Sequence, residues 1–446
     1  MDKMTICADN AEKKICADNA DKMKAYADNA EKKIFADNAE KKIFADNADK
    51  MAVYADNAAT TRISDAALSA MLPYLKEEYG NPSSLYAFGQ RAKEELEKVR
   101  AFVAATFRCE PREIYFTSGG SEADNQALLS LAALGERKGK KHIISTAFEH
   151  HAILHTLQKL KSRGFEVTLL PVHEDGLVRP SEVEAAIRPD TAFVTVMYAN
   201  NEIGTIQPIR EIGKLCRARG VPFHTDAVQA AGHLDIDVQA ECIDALSLSA
   251  HKFHGPKGVG ALYFRKRYPL VSLVEGGAQE RGKRAGTENL AGIVGLGAAL
   301  KEAMTDCDGK RARISALRDK LIAGLKKIPH SRLNGDGEKR LAGNVNVCFE
   351  GIEGESLLLF LDDEGIMASS GSACTSGSLD PSHVLLAIGV PHEVAHGSLR
   401  LTLSEYTTEK EVDYIIEKVP EAVKRLRDMS PVWRELQEGK RQYVIQ

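Results

Sequence analysis

Ser247-Leu248-Ser249-Ala250-His251-Lys252-Phe253-His254-Gly255-Pro256-Lys257-Gly258 runs from an apolar strand pattern into a glycine-rich turn and sets one lysine between two histidines. A lysine that is to condense with an aldehyde must lose its proton, which calls for a confined site. The glycines beside it let backbone come close to a ligand. Upstream, Phe223-His224-Thr225-Asp226-Ala227-Val228-Gln229 ends another apolar strand on an aspartate. A carboxylate there can pair with a protonated ring nitrogen. Pyridoxal phosphate needs both groups, the lysine for its aldehyde and the carboxylate to keep the ring cationic as an electron sink. Lys252 alone would read as a solvated surface lysine; the pairing with Asp226 changes that reading.

Outward from this stretch, short apolar runs at 113–117, 142–145, 166–170, 192–198, 222–225, 245–249 and 260–264 mostly alternate with helical patterns. Seven such strands predict an α/β large domain with a mainly parallel sheet flanked by helices. A helix is expected from about Glu122 to Leu134, and one long helical segment from about Asn289 to Leu325. The expected division is 1–50 as repeats, 51–65 as the opening of a small domain, 66–308 as the large domain and 309–446 as a smaller α+β domain with a mobile loop at about 368–380. Between the first strand and its helix, Ser118-Gly119-Gly120-Ser121-Glu122 offers free backbone N–H groups and a helix N-terminus to a phosphate. His150, after another strand, can stack on a flat ring and move protons near neutral pH.

With 446 residues, 43% hydrophobic and 27% charged, the composition is that of a soluble globular protein of two or three domains. A net charge of -4 gives no reason to expect nucleic acid or an anionic membrane as a partner. Eight cysteines without a CxxC pair argue against a zinc site or a disulfide framework and for a reducing cytoplasm. No apolar run reaches a membrane span, and the N-terminus lacks signal and transit patterns. The tetrapeptide Ala-Asp-Asn-Ala begins at Ala8, Ala17, Ala27, Ala36, Ala45 and Ala55, and only the last copy continues into Ala59-Thr60-Thr61. That spacing is too short for a solenoid unit and keeps no single apolar face. Residues 1–50 are therefore read as tandem duplications of a start at Met51, weakly ordered.

These motifs, with Asp56-Asn57-Ala58-Ala59-Thr60-Thr61, Gly80-Asn81-Pro82-Ser83-Ser84, Asn200-Asn201-Glu202-Ile203-Gly204 and Ser369-Ser370-Gly371-Ser372-Ala373-Cys374-Thr375-Ser376-Gly377-Ser378, resemble in order and interval a cysteine desulfurase of the nitrogen-fixation and iron-sulfur type. That group lies in the class V aminotransferase superfamily, of pyridoxal-phosphate transferase fold type I. The resemblance runs from about Met51 to the C-terminus, and the Cys374 stretch is its most specific part. It implies Lys252 as the Schiff-base lysine, Asp226 at the pyridine nitrogen, Gln229 at the phenolic oxygen and His150 stacked on the ring. Gly120, Ser121, Ser249 and His251 would hold the phosphate, and Thr287 would reach the phosphate of a neighbouring subunit, which implies a homodimer. Ser121 stands where the family usually has threonine and keeps the hydroxyl. Asn201 and Arg400 match the residues that hold the substrate carboxylate, a task suited to a two-pronged guanidinium.

The implied reaction converts L-cysteine to L-alanine, with Cys374 taking the sulfur as a persulfide and passing it to an iron-sulfur scaffold protein or another acceptor. Small residues around Cys374 suit a swinging tether. No intrinsic metal is expected, Cys374 being the candidate for a transient cluster ligand in a scaffold complex. Met429-Ser430-Pro431-Val432-Trp433 resembles the family's scaffold-docking end, and simple packing is an equal reading of Trp433. Another class V enzyme, an aminotransferase or a selenocysteine lyase, would share the cofactor residues. The Cys374 loop argues against the first and leaves selenocysteine open. A partner-docking protein without turnover is disfavoured by the complete catalytic set.

Overall fold

Strands that are covered on both faces read as mainly apolar or neutral runs, and five of the seven strands of the main sheet are covered so, while the edge strand Glu166–Leu170 is mostly not buried. In the computed structural model, which describes residues 50–371 and 381–445, the strands are β1 (Val53–Tyr54), β2 (Ile114–Thr117), β3 (His142–Thr146), β4 (Glu166–Leu170), β5 (Thr191–Thr195), β6 (Phe223–Asp226), β7 (Ala245–Ser249), β8 (Gly260–Phe264), β9 (Ser331–Leu333), β10 (Asn344–Phe349), β11 (Ile366–Met367) and β12 (Ser398–Thr402). Every residue of β3, β5, β6, β7 and β8 is buried. The main sheet has the order β2-β8-β7-β6-β5-β3-β4, with β3 to β7 joined in parallel and β8 antiparallel to both neighbours. Five of the six Ala-Asp-Asn-Ala copies and Cys374 lie outside the described residues.

Beyond the main sheet, β12-β10-β9 form an antiparallel sheet, and β1 pairs in parallel with β11. The last Asp-Asn-Ala copy enters this region. Asp56 bridges Thr402, the Asn57 amide donates to the Thr402 carbonyl at 2.7 Å, and the Ala58 N–H donates to the Thr402 hydroxyl at 2.8 Å. Val53 and Ala55 join a core of Leu321, Leu325, Val345, Val347, Leu399, Leu401 and residues of the helix Glu409–Met429. A larger core lies against the main sheet and also takes in Val384 to Ala395. Residues 53–446 form one compact unit.

Two helix boundaries differ from expectation. The helix after the phosphate turn spans Gly120–Arg137, longer at both ends than predicted. The long segment expected from Asn289 to Leu325 is two helices, Leu290–Met304 and Cys307–Leu325. Thr305 turns extended and Asp306 takes φ +51°, a left-handed backbone that aspartate tolerates better than most residues. The expected strand to Tyr198 ends at Thr195, and the chain beyond it runs into the site.

Trp433 lies against Gly351, where a Cβ would come within 2.6 Å of the indole, and Arg427 stands over its ring at 3.9 Å. His330 stacks on Tyr443 at 3.8 Å, and the Glu350 carboxylate accepts the N–H groups of Val444 and Ile445 at 2.8 and 2.9 Å. Trp433 thus packs against the chain and seats the C-terminal tail. Among the described residues no helix is long and apolar enough to cross a membrane.

Candidate active site

In open α/β sheets the carboxyl ends of the parallel strands are where ligands gather. Asp226 ends β6 and Ser249 ends β7, and a short turn, Ala250–Lys252, carries the lysine away from the sheet. The Lys252 ammonium donates to the carbonyls of Ala58 and Ala59 at 2.6 and 2.7 Å, so the final repeat copy forms one wall beside it. The Gln229 amide donates to the same Ala58 carbonyl at 3.0 Å. His233 holds the Lys252 carbonyl at 3.0 Å, and His251 Nδ1 meets the Thr60 hydroxyl at 3.1 Å. Burial, then the charges of Lys252 and Lys257, pushes His251 down to about 4, so its imidazole is neutral.

His150 caps the helix His151–Ser162, its Nδ1 accepting the Ala152 N–H at 3.1 Å. Ligand atoms of His150, Asp226 and Asp124 all lie within 4.8 Å of one another. Asp124 is a residue the sequence did not single out. Burial, and next the charge of Asp226, holds its carboxyl well above the usual range. Two buried carboxyls so close cannot both ionise. Burial raises Asp226 as well, but of the two it is the better anion, because it faces His150 and Lys252 and accepts the Val228 N–H at 2.9 Å. His224, pushed by burial to about 3, is neutral between the hydroxyls of Thr195 and Ser247. Glu149, pushed by burial to about 8, accepts from Thr146 and from the Met197 N–H. The only sequence signals for this layer are the inward face of the helix after Gly120 and the glutamate beside His150.

The phosphate turn closes against β7 and β8. A Cβ on Gly120 would meet Val228 at 2.5 Å, so that position has no space for a side chain, while one on Gly119 would make only an ordinary contact with Ser249 Oγ at 3.7 Å. The Gly120–Arg137 helix leaves its first N–H groups unpaired within the helix, as every helix does, and no side chain caps them at Gly119. Ser249 makes no side-chain cap hydrogen bond. These donors, a buried aspartate and an amine together fit a phosphorylated aromatic aldehyde.

Arg400, 2% exposed, comes from β12, 344 residues from its partner Asp56, to which its Nη2 donates at 2.8 Å. Its Nη1 reaches the Asn201 carbonyl at 3.3 Å, and its buried Nε has no hydrogen-bond acceptor. Lys252, Asp226, Gln229, His150, Gly120, Ser249 and His251 thus converge on one region, with Arg400 and Asn201 together at its edge. Thr287 does not join them. It is exposed and lines a small surface cavity with Ser118 and Arg284. Of the other cysteines, burial pushes Cys109 and Cys348 up to about 12 and raises Cys216 and Cys307, so these four are held as thiols.

The aminotransferase class-V pattern matches residues 53–415. A cysteine desulfurase IscS of Clostridium botulinum is 54% identical over 386 residues, 86% of this chain and 97% of its own. A solved NifS-like protein superposes with a TM-score of 0.80 at 39% identity, covering 84% of this chain and all of that one. A structure described as SspA in complex with cysteine gives 0.71 at 38% identity, covering 80% and all. The chain belongs to the aminotransferase class-V family, and within it to the cysteine desulfurases.

Proposed function

We propose that the chain is a pyridoxal-phosphate-dependent cysteine desulfurase that turns L-cysteine into L-alanine and collects the sulfur as a persulfide on Cys374. The observation that carries this is the convergence of Lys252, Asp226 and His150 beside a side-chain-free phosphate turn. When bound, the cofactor supplies an electron sink that makes the Cα proton of cysteine acidic. Asp226 would pair with the ring nitrogen, the first turn after Gly119 with the phosphate, and Lys252 would take and return the proton at Cα. Arg400 and Asn201 would hold the substrate carboxylate, which takes over the place that Asp56 fills on the guanidinium. His150, whose Nδ1 accepts the Ala152 N–H, would manage the proton of the substrate thiol.

Cys374 lies outside the described residues, and its role rests on its sequence setting and on four other cysteines being held as thiols. Its thiolate would attack the substrate sulfur; the carbon–sulfur bond breaks, the sulfur stays on Cys374, and the remaining carbon takes a proton to become alanine. A scaffold protein or another sulfur acceptor would follow, and a homodimer would bring Thr287 to a neighbouring site. The test is alanine release from cysteine with mass spectrometry of the labelled protein. Persulfide on Cys374 is expected, and persulfide mainly on Cys109, Cys242 or Cys348 overturns the assignment.

A further inference from the structure

Two consecutive residues with side chains, Glu280 and Arg281, take left-handed backbone at φ +46° and +58°. Such strain persists only where the surroundings over-determine it, and it gathers at functional sites. Here the surroundings are β2, the strand that runs directly into Ser118. The Glu280 carboxylate receives both Arg100 terminal nitrogens at 2.8 Å and the Phe116 N–H at 3.0 Å. Both side chains of this ion pair are 2% exposed. Arg281 donates to the Ile114 carbonyl at 2.6 Å and lies over the Tyr115 ring at 4.4 Å. The segment is thus pinned along β2, and three residues on it delivers Arg284.

Arg284 meets Glu122 with Nε at 2.9 Å and Nη2 at 3.3 Å. Glu122 in turn accepts the N–H of Ser118 at 2.9 Å and the Ser118 hydroxyl. This arrangement sets an electrostatic problem. A carboxylate in the first turn of a helix suits the helix itself, but here it stands within the turn that must receive an anion. Hydrogen bonds from Ser118 and Arg284, against burial, hold Glu122 below the usual carboxylate range, so it stays charged. Arg284 is the cation that faces it, with the pair part-buried and only partly screened by solvent.

We propose that Arg284 is a positioning residue for the cofactor's phosphate: it neutralises Glu122 inside the phosphate turn, and the buried Arg100–Glu280 pair aims it there. The inference rests on the proposed function. The Phe116 N–H bond to Glu280 and the Arg284–Glu122 pair tie residues 280–284 to the strand before the turn and the helix after it, and the same segment ends at Thr287 on the cavity that Ser118 also lines.

The experiment follows cofactor release from the full-length protein, loaded with pyridoxal phosphate or with pyridoxal, by loss of visible absorbance after dilution into a carbonyl-reactive trap. Arg284→Gln leaves Glu122 uncompensated and should speed release of pyridoxal phosphate about tenfold, with pyridoxal release changed less than about twofold. Adding Glu122→Gln should restore retention of the phosphate compound, and Arg284→Lys should sit between parent and Arg284→Gln. A merely structural role would loosen both compounds equally, and that result overturns the inference, as does an unchanged Arg284→Gln or a double variant no better than the single one. Glu280→Gln breaks a buried pair and serves only alongside these variants. A parent that takes up neither compound overturns the proposed function, and this inference with it; a parent that binds both and ignores Arg284→Gln overturns this inference alone.

Discussion

The main sheet and the small sheet approach the site by different means. Asp226, Ser249 and Lys252 hang from the ends of β6 and β7, whose every residue is buried, so backbone fixes them. Arg400 also sits on a buried strand, in the middle of β12, but its guanidinium is held only by a side-chain ion pair with Asp56 and a longer contact to a carbonyl. A group set by a strand end cannot be traded for another partner, whereas the carboxylate resting on a guanidinium can be. The difference assigns the permanent group to the sheet side and the passing one to the Arg400 side.

The sharpest way to break that assignment is Lys252→Ala. Loss of the group at Cα should lower alanine production by about 10²-fold or more, measured on protein whose cofactor content is checked separately. Activity near that of the parent would remove Lys252 from the chemistry. Arg400→Lys keeps charge but loses the fork, and should raise the KM for cysteine about tenfold with cofactor retained. Cofactor loss without a change in KM would move Arg400 to the other side of the comparison.

A smaller effect probes the buried layer behind Asp226. Burial raises Glu149 to about 8, so between the ordinary carboxyl value of 4.5 and about 8 the folded chain keeps a proton that the unfolded chain releases. Its stabilising contribution is full below about 4.5 and is lost as pH rises through about 8. Glu149→Gln removes this dependence, so thermal midpoints of parent and variant should diverge from pH 5 to pH 9 in the variant's favour, by several degrees. Parallel curves would show that Glu149 is ionised. The smallest effect is expected from removing residues 1–50: cofactor content and rate should stay within about twofold of the parent, by the tolerance of termini. Removing residues 1–61 should abolish both, since Ala58 and Ala59 face Lys252 and Asn57 binds Thr402.

The sequence made Lys252, Asp226 and the phosphate turn legible because each sits where an apolar strand stops, a pattern local to a dozen residues. The main sheet was legible for the same reason. Asp124, His224 and Glu149 were not read, since each is polar within a buried element and its meaning depends on neighbours from other strands. Nor could periodicity foretell the Asp56–Arg400 pair, which joins residues 344 apart. The break at Asp306 was missed because the helical pattern continues on both sides, and only a left-handed backbone interrupts it.

Trp433 gives the chain one more property. It is the sole tryptophan of the sequence, and it sits under Arg427 with Tyr443 and His330 at 5.6 Å, where Glu350 fastens the last residues. Indole emission therefore comes from a single place, and the molecule carries its own optical label. In a urea titration that light records release of the tail, while far-ultraviolet dichroism records the melting of the sheets and helices, so one cuvette resolves the order in which the two come apart.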